Sequence, residues 1–151
     1  MNNKLKVISL FLFCVLLCGS FIYAVSFPVH GSDVLHYNYN VPAGGIGTPI
    51  MRKTDTSEQC ILNKVCNYGI NVRVRQKTDS NEYSRSQLIN MTGSSLTFTH
   101  NTAGRTSPGY SNPSDAMAQN YLEMCSPNYF YIQTYPINAP GSVNVSYSWY
   151  L

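Results

Sequence analysis

The residues nearest to chemistry at the start of the chain are His30, Asp33 and His36. Imidazole and carboxylate are sound metal ligands, and a zinc site takes three or four of them. Their spacing fits no strong metal signature, and His36 falls on the polar side of an alternating segment. They read as exposed side chains near a loosely held terminus, so neither a metal nor another cofactor is expected. Cys60, Cys66 and Cys125 raise a second chemistry, a thiol nucleophile served by His36 or His100. Such a pair needs thiolate and base in contact, oriented by a third group. All three cysteines have apolar neighbours, and cysteines of exported domains are usually structural. No G-x-S-x-G, S-x-x-K or H-E-x-x-H motif is present. The carboxylates Asp33, Asp55, Glu58, Asp79, Glu82, Asp115 and Glu123 are scattered without a spacing that pairs them. Gly44-Gly45-Ile46-Gly47 lacks the Lys-Ser/Thr and the helix of a phosphate loop, and reads as a turn or strand-edge bulge. The sequence points away from an enzyme.

Binding is better represented. Arg73 and Arg75 share the wet face of one alternating segment, continued by Lys77. Such a stripe suits sulfated or phosphorylated glycans or anionic lipid heads, or else a solvated sheet face or an edge kept from pairing with other chains. There are 12 Tyr against 6 Phe and one Trp, and tyrosine combines an apolar ring with a hydrogen-bonding tip at low entropy cost. Thr102–Ser114, rich in Gly and Pro, reads as a long surface loop carrying Tyr110 and Asn112. Tyr110, Asn112, Arg73 and Arg75 are therefore the candidate contacts to a glycan or a protein surface. Asn90-Met91-Thr92 and Asn144-Val145-Ser146 fit the glycosylation acceptor pattern, which matters only in a eukaryotic or viral source.

These side chains need strands to hold them. Leu35, Tyr37, Tyr39 and Val41 alternate with polar residues, as do Ile70, Val72 and Val74, Leu96 and Phe98, and Val143, Val145, Tyr147 and Trp149. Period two marks strands with one face buried. Cys60–Val65, Gln87–Thr92 and Tyr129–Tyr135 are further strand candidates. Asn112-Pro113 predicts a short helix near 113–124, capped by Asn112 with Pro113 in its first turn. Met117, Tyr121 and Cys125 would then form its inward stripe. The fold class expected is mostly β: a small antiparallel β-sandwich or barrel of six to eight strands with one short helix.

The N-terminus sets the compartment. Lys4 and Lys6 precede an apolar run from Val7 to Leu17, and Ala24-Val25-Ser26 supplies small residues for cleavage before Phe27. This is the layout of a secretory signal peptide over 1–26. The alternatives are an uncleaved anchor, since Val7–Val25 nearly reaches the ~20 residues of a membrane helix, and lipidation at Cys18. Residues 27–151 then form a single extracytoplasmic domain, secreted, periplasmic or on the cell surface. Without Lys4 and Lys6 it carries eight basic residues against seven acidic ones, too even a balance for nucleic acid. A membrane enters only through an uncleaved N-terminal segment. Three cysteines remain, which predicts one disulfide and one free thiol. The long bond from the Cys60/Cys66 region to Cys125 is favoured over Cys60–Cys66, which requires the chain to reverse at Asn63-Lys64.

Over Ser142–Leu151, the alternating aromatic end with Tyr150 next to last resembles the terminal strand of chaperone–usher pilus subunits, which are exported β-sandwiches. The glycine those subunits carry upstream has no clear counterpart in Ile137-Asn138-Ala139-Pro140-Gly141, and the chain is not assigned to that family. The functional expectation is a non-enzymatic binding or surface-interaction domain. A structural subunit of a surface assembly and a small secreted hydrolase or toxin are the alternatives.

Overall fold

A computed structural model describes residues 34–151. Residues 1–33, with the expected signal segment and cleavage site, Cys14, Cys18, His30 and Asp33, lie outside the described residues. The rest is mostly β, with strands in two antiparallel sheets packed as a sandwich, plus one α-helix.

The first sheet is ordered β1 (Val34–Val41), β10 (Val143–Tyr150), β4 (Cys60–Val65) and β8 (Leu96–Thr97). The second is centred on β5 (Ile70–Lys77) and β9 (Tyr129–Pro136), paired antiparallel over their whole length. Its edges are broken strands. β2 (Ile46–Gly47) and β3 (Met51–Arg52) both lie along β9, while β6 (Glu82–Ser84) and β7 (Ile89–Met91) both lie along β5. At each break a side-chain hydroxyl replaces the missing backbone acceptor. Thr48 Oγ1 accepts from the Ile132 amide at 3.0 Å, and Ser86 Oγ accepts from the Val74 amide at 2.9 Å. No amide of the central strands is left orphaned there, which is what permits the edges to bend.

The alternation on β5 and β10 is realised: Ile70, Val72, Val74, Val143, Val145, Tyr147 and Trp149 are all buried. On β1, Tyr37 and Val41 are buried, but Tyr39 is 43% exposed. Tyr37 and Tyr147 face each other in register and stack with ring centroids 4.5 Å apart. The Tyr147 hydroxyl shares a 2.8 Å hydrogen bond with Thr134 Oγ1 of the opposite sheet, so the two layers are tied inside the core.

The helix, α1, spans Pro113–Met124, with Asn112 Oδ1 accepting from the Ser114 amide at 3.0 Å and Pro113 in the first turn. Its buried stripe is Ala116, Asn120 and Met124, one position before the Met117–Tyr121–Cys125 stripe that hydrophobicity selects. Met117 and Tyr121 flank the core half-buried. The helix is rotated because Asn120 is the residue with polar partners inside, described below.

Cys60, Cys66 and Cys125 are free thiols in this structure. The course of β4 sets Cys60 and Cys66 apart. Asn63 takes a positive φ of 56°, but the chain bulges there instead of reversing, and β4 goes on to pair Val65 with Ser146. The two residues therefore stay at opposite ends of an extended strand, about 20 Å apart by strand rise. Cys125 ends α1 beside the Tyr121 hydroxyl, and burial raises its thiol pKa. Among the described residues no helix is long and apolar enough to cross a membrane.

Candidate functional site

The site is built on the break between β6 and β7. Arg75 pairs with Ser84 and Val72 with Ile89, so the two residues of β5 between these pairs face four of the edge. The amides of Arg85 and Ser86 both point to the Val74 carbonyl, at 3.0 and 3.4 Å. Two consecutive residues opposite one is a β-bulge, and bulges re-aim side chains. Strict alternation would send either Arg85 or Ser86 outward; here both are buried.

Arg85 is 7% exposed. Its Nε donates to Gln76 Oε1 at 2.6 Å, and Nη1 donates to Asn120 Oδ1 at 2.9 Å. Its Cζ stands 4.6 Å from the centre of the Tyr83 ring, a cation–π contact. Glu123 Oε2 lies 3.9 Å from Nη2. Burial pushes the guanidinium pKa below its ordinary value, against the opposing pull of Glu123. Asn120 completes the floor. Its Nδ2 donates to the Gly104 carbonyl at 2.8 Å and to the Thr106 carbonyl at 2.9 Å, tying α1 to the loop that follows the 3-10 turn His100–Thr102.

That loop forms the other wall. The Tyr110 amide donates to the Ser107 carbonyl at 3.1 Å across Pro108-Gly109, with Gly109 at φ 83°. Proline then glycine at positive φ is the composition of a type II turn. It stands Tyr110 at the rim, 44% exposed, with its hydroxyl donating to Gln119 Oε1 of α1 at 3.1 Å. Between these walls lies a cleft of about 300 Å³ lined by Glu82, Tyr83, Arg85, Pro108, Tyr110 and Asn120, among others. It continues into a recess of about 180 Å³ beside Gln119 and Glu123.

Glu82 connects the cleft to the outer face of the second sheet. It accepts from Lys77 Nζ and the Tyr131 hydroxyl, both at 2.9 Å, and from Arg75 Nη2 at 3.4 Å. Lys77 above all, then Tyr131, lowers its carboxyl pKa, so it stands ionised and is no proton donor near neutral pH. The Tyr131 hydroxyl is pushed up to about 12, by burial first and by its bond to Glu82 second.

The four candidate contacts are thus separated. Tyr110 lines the cleft. Arg75 touches it only through Glu82. Arg73 lies farther along β5 and donates to Gln133 Oε1 at 2.8 Å. Asn112 is the helix cap and positions α1. Tyr83, Arg85 and Asn120 were not legible as site residues. Glu82-Tyr83-Ser84-Arg85 carries no apolar period, and nothing in it announces a bulge. The Gly44–Gly47 run is a turn leading into β2: Gly45 has φ 80°, and a Cβ there would meet the Tyr135 ring at 2.3 Å. His36 shares a hydrogen bond with Ser148 Oγ at 2.9 Å, and no group of three or more His, Cys, Asp or Glu gathers among the described residues. Asn90 and Asn144 are both exposed.

No protein-family model, curated protein or solved structure matches this chain.

Proposed function

We propose that this chain is an exported, non-enzymatic binding domain whose ligand site is the Tyr83–Arg85–Tyr110 cleft, and that its ligand is a surface glycan. One observation carries the reading. Two tyrosines and a proline frame an open, shallow cleft whose polar groups, Arg85, Asn120 and Gln119, are fixed in place by hydrogen bonds to one another's neighbours. Rigid aromatic surface with oriented amide and guanidinium groups suits the apolar faces and hydroxyls of a sugar. The cleft offers no matched acid and base: Glu82 is held ionised by Lys77, and Glu123 is engaged by Gln119 at 2.9 Å and Gln76 at 3.3 Å.

A glycan array probed with the natively exported protein tests this. Wild type should mark a defined subset of glycans, and Tyr110→Ala should weaken those signals about tenfold, the scale of a lost aromatic contact. A blank array together with a protein pull-down whose capture survives Tyr110→Ala would sink the cleft as the site. N-terminal sequencing of the same sample should start at Phe27; retention of residues 1–26 would place the domain on a membrane anchor instead.

A second reading, a subunit of a surface assembly, is favoured by β1. It is eight residues long, pairs with β10 on one side only, and leaves its other edge open among the described residues. Long open edges accept further strands. A mass measured in solution that corresponds to a monomer at all concentrations would remove it.

A further inference from the structure

We propose that the cleft selects an acidic sugar residue and takes its carboxylate on the Arg85 guanidinium. This rests on the glycan reading and names the class of glycan. The charge of Arg85 has no carboxylate within hydrogen-bond length inside the fold. The side chain is more than nine-tenths buried, yet both of its short hydrogen bonds go to neutral amide oxygens, Gln76 Oε1 and Asn120 Oδ1. The nearest carboxylate oxygen, Glu123 Oε2, stands at 3.9 Å, beyond hydrogen-bond length, and accepts from Gln76 Nε2 at 3.3 Å. A guanidinium has five N–H donors, so the second Nη1 hydrogen and those of Nη2 have no short partner. Nη2 is not sealed from solvent, so its hydrogens open on the cleft, where a carboxylate can take them in place of water.

Glu123 is the ion-pair partner of Arg85 at 3.9 Å and lines the recess, so an incoming carboxylate shares the guanidinium with it. Glu82 also lines the cleft, but it makes its ion pairs with Lys77 and Arg75 and its hydrogen bond with Tyr131, on the outer face of the sheet. Arg85 lines both the cleft and its recess. Tyr83 packs against the guanidinium, and Asn120 holds one end of it. The planar fork is thereby pre-oriented, and a fork of this kind matches a carboxylate in two parallel hydrogen bonds. The size of the cleft, about 300 Å³, is at the small end of ligand sites and suits a single sugar residue. Tyr110 and Pro108 on the rim would lie against the ring that carries the carboxylate.

The test is calorimetric titration of the wild-type full chain with glucuronate, galacturonate and N-acetylneuraminate, against glucose, galactose and acetate. At least one acidic sugar should bind about tenfold or more tightly than its neutral counterpart, as expected for a charge-assisted pair. It should also bind about tenfold or more tightly than acetate, which has the charge without the ring. Added salt should narrow the first ratio. Arg85→Lys, which keeps the charge but loses the fork, should abolish the preference; the wild-type ratios decide the matter even if that variant does not fold. Equal binding of acidic and neutral sugars would overturn the carboxylate assignment and leave the glycan reading standing. Acetate binding as tightly as the sugars would overturn the sugar part and leave an anion site. No binding by any sugar, with an array also blank, would overturn both.

Discussion

Asn120 is the residue on which the cleft floor depends, and Asn120→Ala tests that dependence quantitatively. The side chain is fully buried and makes three hydrogen bonds, to the Gly104 and Thr106 carbonyls and from Arg85 Nη1. Truncation strands two groups that are themselves buried, the Gly104 carbonyl and the Arg85 guanidinium. Each buried group left unmatched costs roughly 1–3 kcal/mol. Asn120 lines the cleft, so water can replace part of what is lost, and the lower half of the summed range applies, about 2–4 kcal/mol. For a domain of this size that is a fall in Tm of about 10–15 °C. The protein should still fold, since domain stabilities run from about 5 to 15 kcal/mol. Asn112→Ala is the internal control: it removes an exposed helix cap worth about 1 kcal/mol. Urea unfolding of the three proteins, read by tryptophan fluorescence from the buried Trp149, gives both differences directly. If Asn120→Ala costs no more than Asn112→Ala, Asn120 does not carry the network assigned to it.

Gly45→Ala should destabilise by about 2 kcal/mol or more, because it combines φ 80° with a Cβ aimed into the Tyr135 ring; Gly44→Ala, with open space around it, should be within about 0.5 kcal/mol of wild type, and equal effects in urea unfolding would refute the placement. Asp55 accepts from the buried Lys53 ammonium at 2.6 Å and from Ser57, which hold its carboxyl well below the usual carboxylate range. A depressed folded pKa gives stability that is present above about pH 4 and lost as pH falls below it. Asp55→Asn should lower stability at pH 7 by no more than about 1 kcal/mol, since the carboxylate is half exposed, and should flatten the acid limb; an unchanged acid limb would count against the pair. Tyr37 and Tyr131 are pushed up to about 12 mainly by burial, and Tyr121 to about 12 mainly by its hydrogen bond to Glu58. The folded state then keeps protons that the unfolded chain releases near pH 10, so stability should fall as pH rises above about 10. Titration of phenolate absorbance should show a late-ionising group in the native protein; a single native step near 10 would contradict it.

The strands were legible where one face is dry and the other wet. β5 displays that period from Ile70 to Arg75 and β10 from Val143 to Trp149, and Asn112-Pro113 announces α1 because a cap and a fixed φ act locally. β2, β3 and β6 were missed because two or three residues carry no period; they exist only because β9 and β5 need partners. The rotated face of α1 and the inward Arg85 were illegible for one shared reason. Asn120, Arg85 and Gln76 are buried polar residues, tolerated because partners on other elements satisfy them, and hydrophobicity sends each of them outward. Tyr110 was legible since loop residues stand at the surface by default. Its partners Tyr83 and Arg85 were not, since a bulge brings them to it.

The most direct test of the account is the backbone amide NMR spectrum of the isotopically labelled protein, recorded while an array-selected glycan is titrated in. The account predicts shifts confined to Glu82–Ser86, Thr106–Tyr110 and the Gln119–Glu123 turn of α1. Shifts centred instead on Arg73, Gln133 and Tyr135 of the outer sheet face, or along β1, would contradict it.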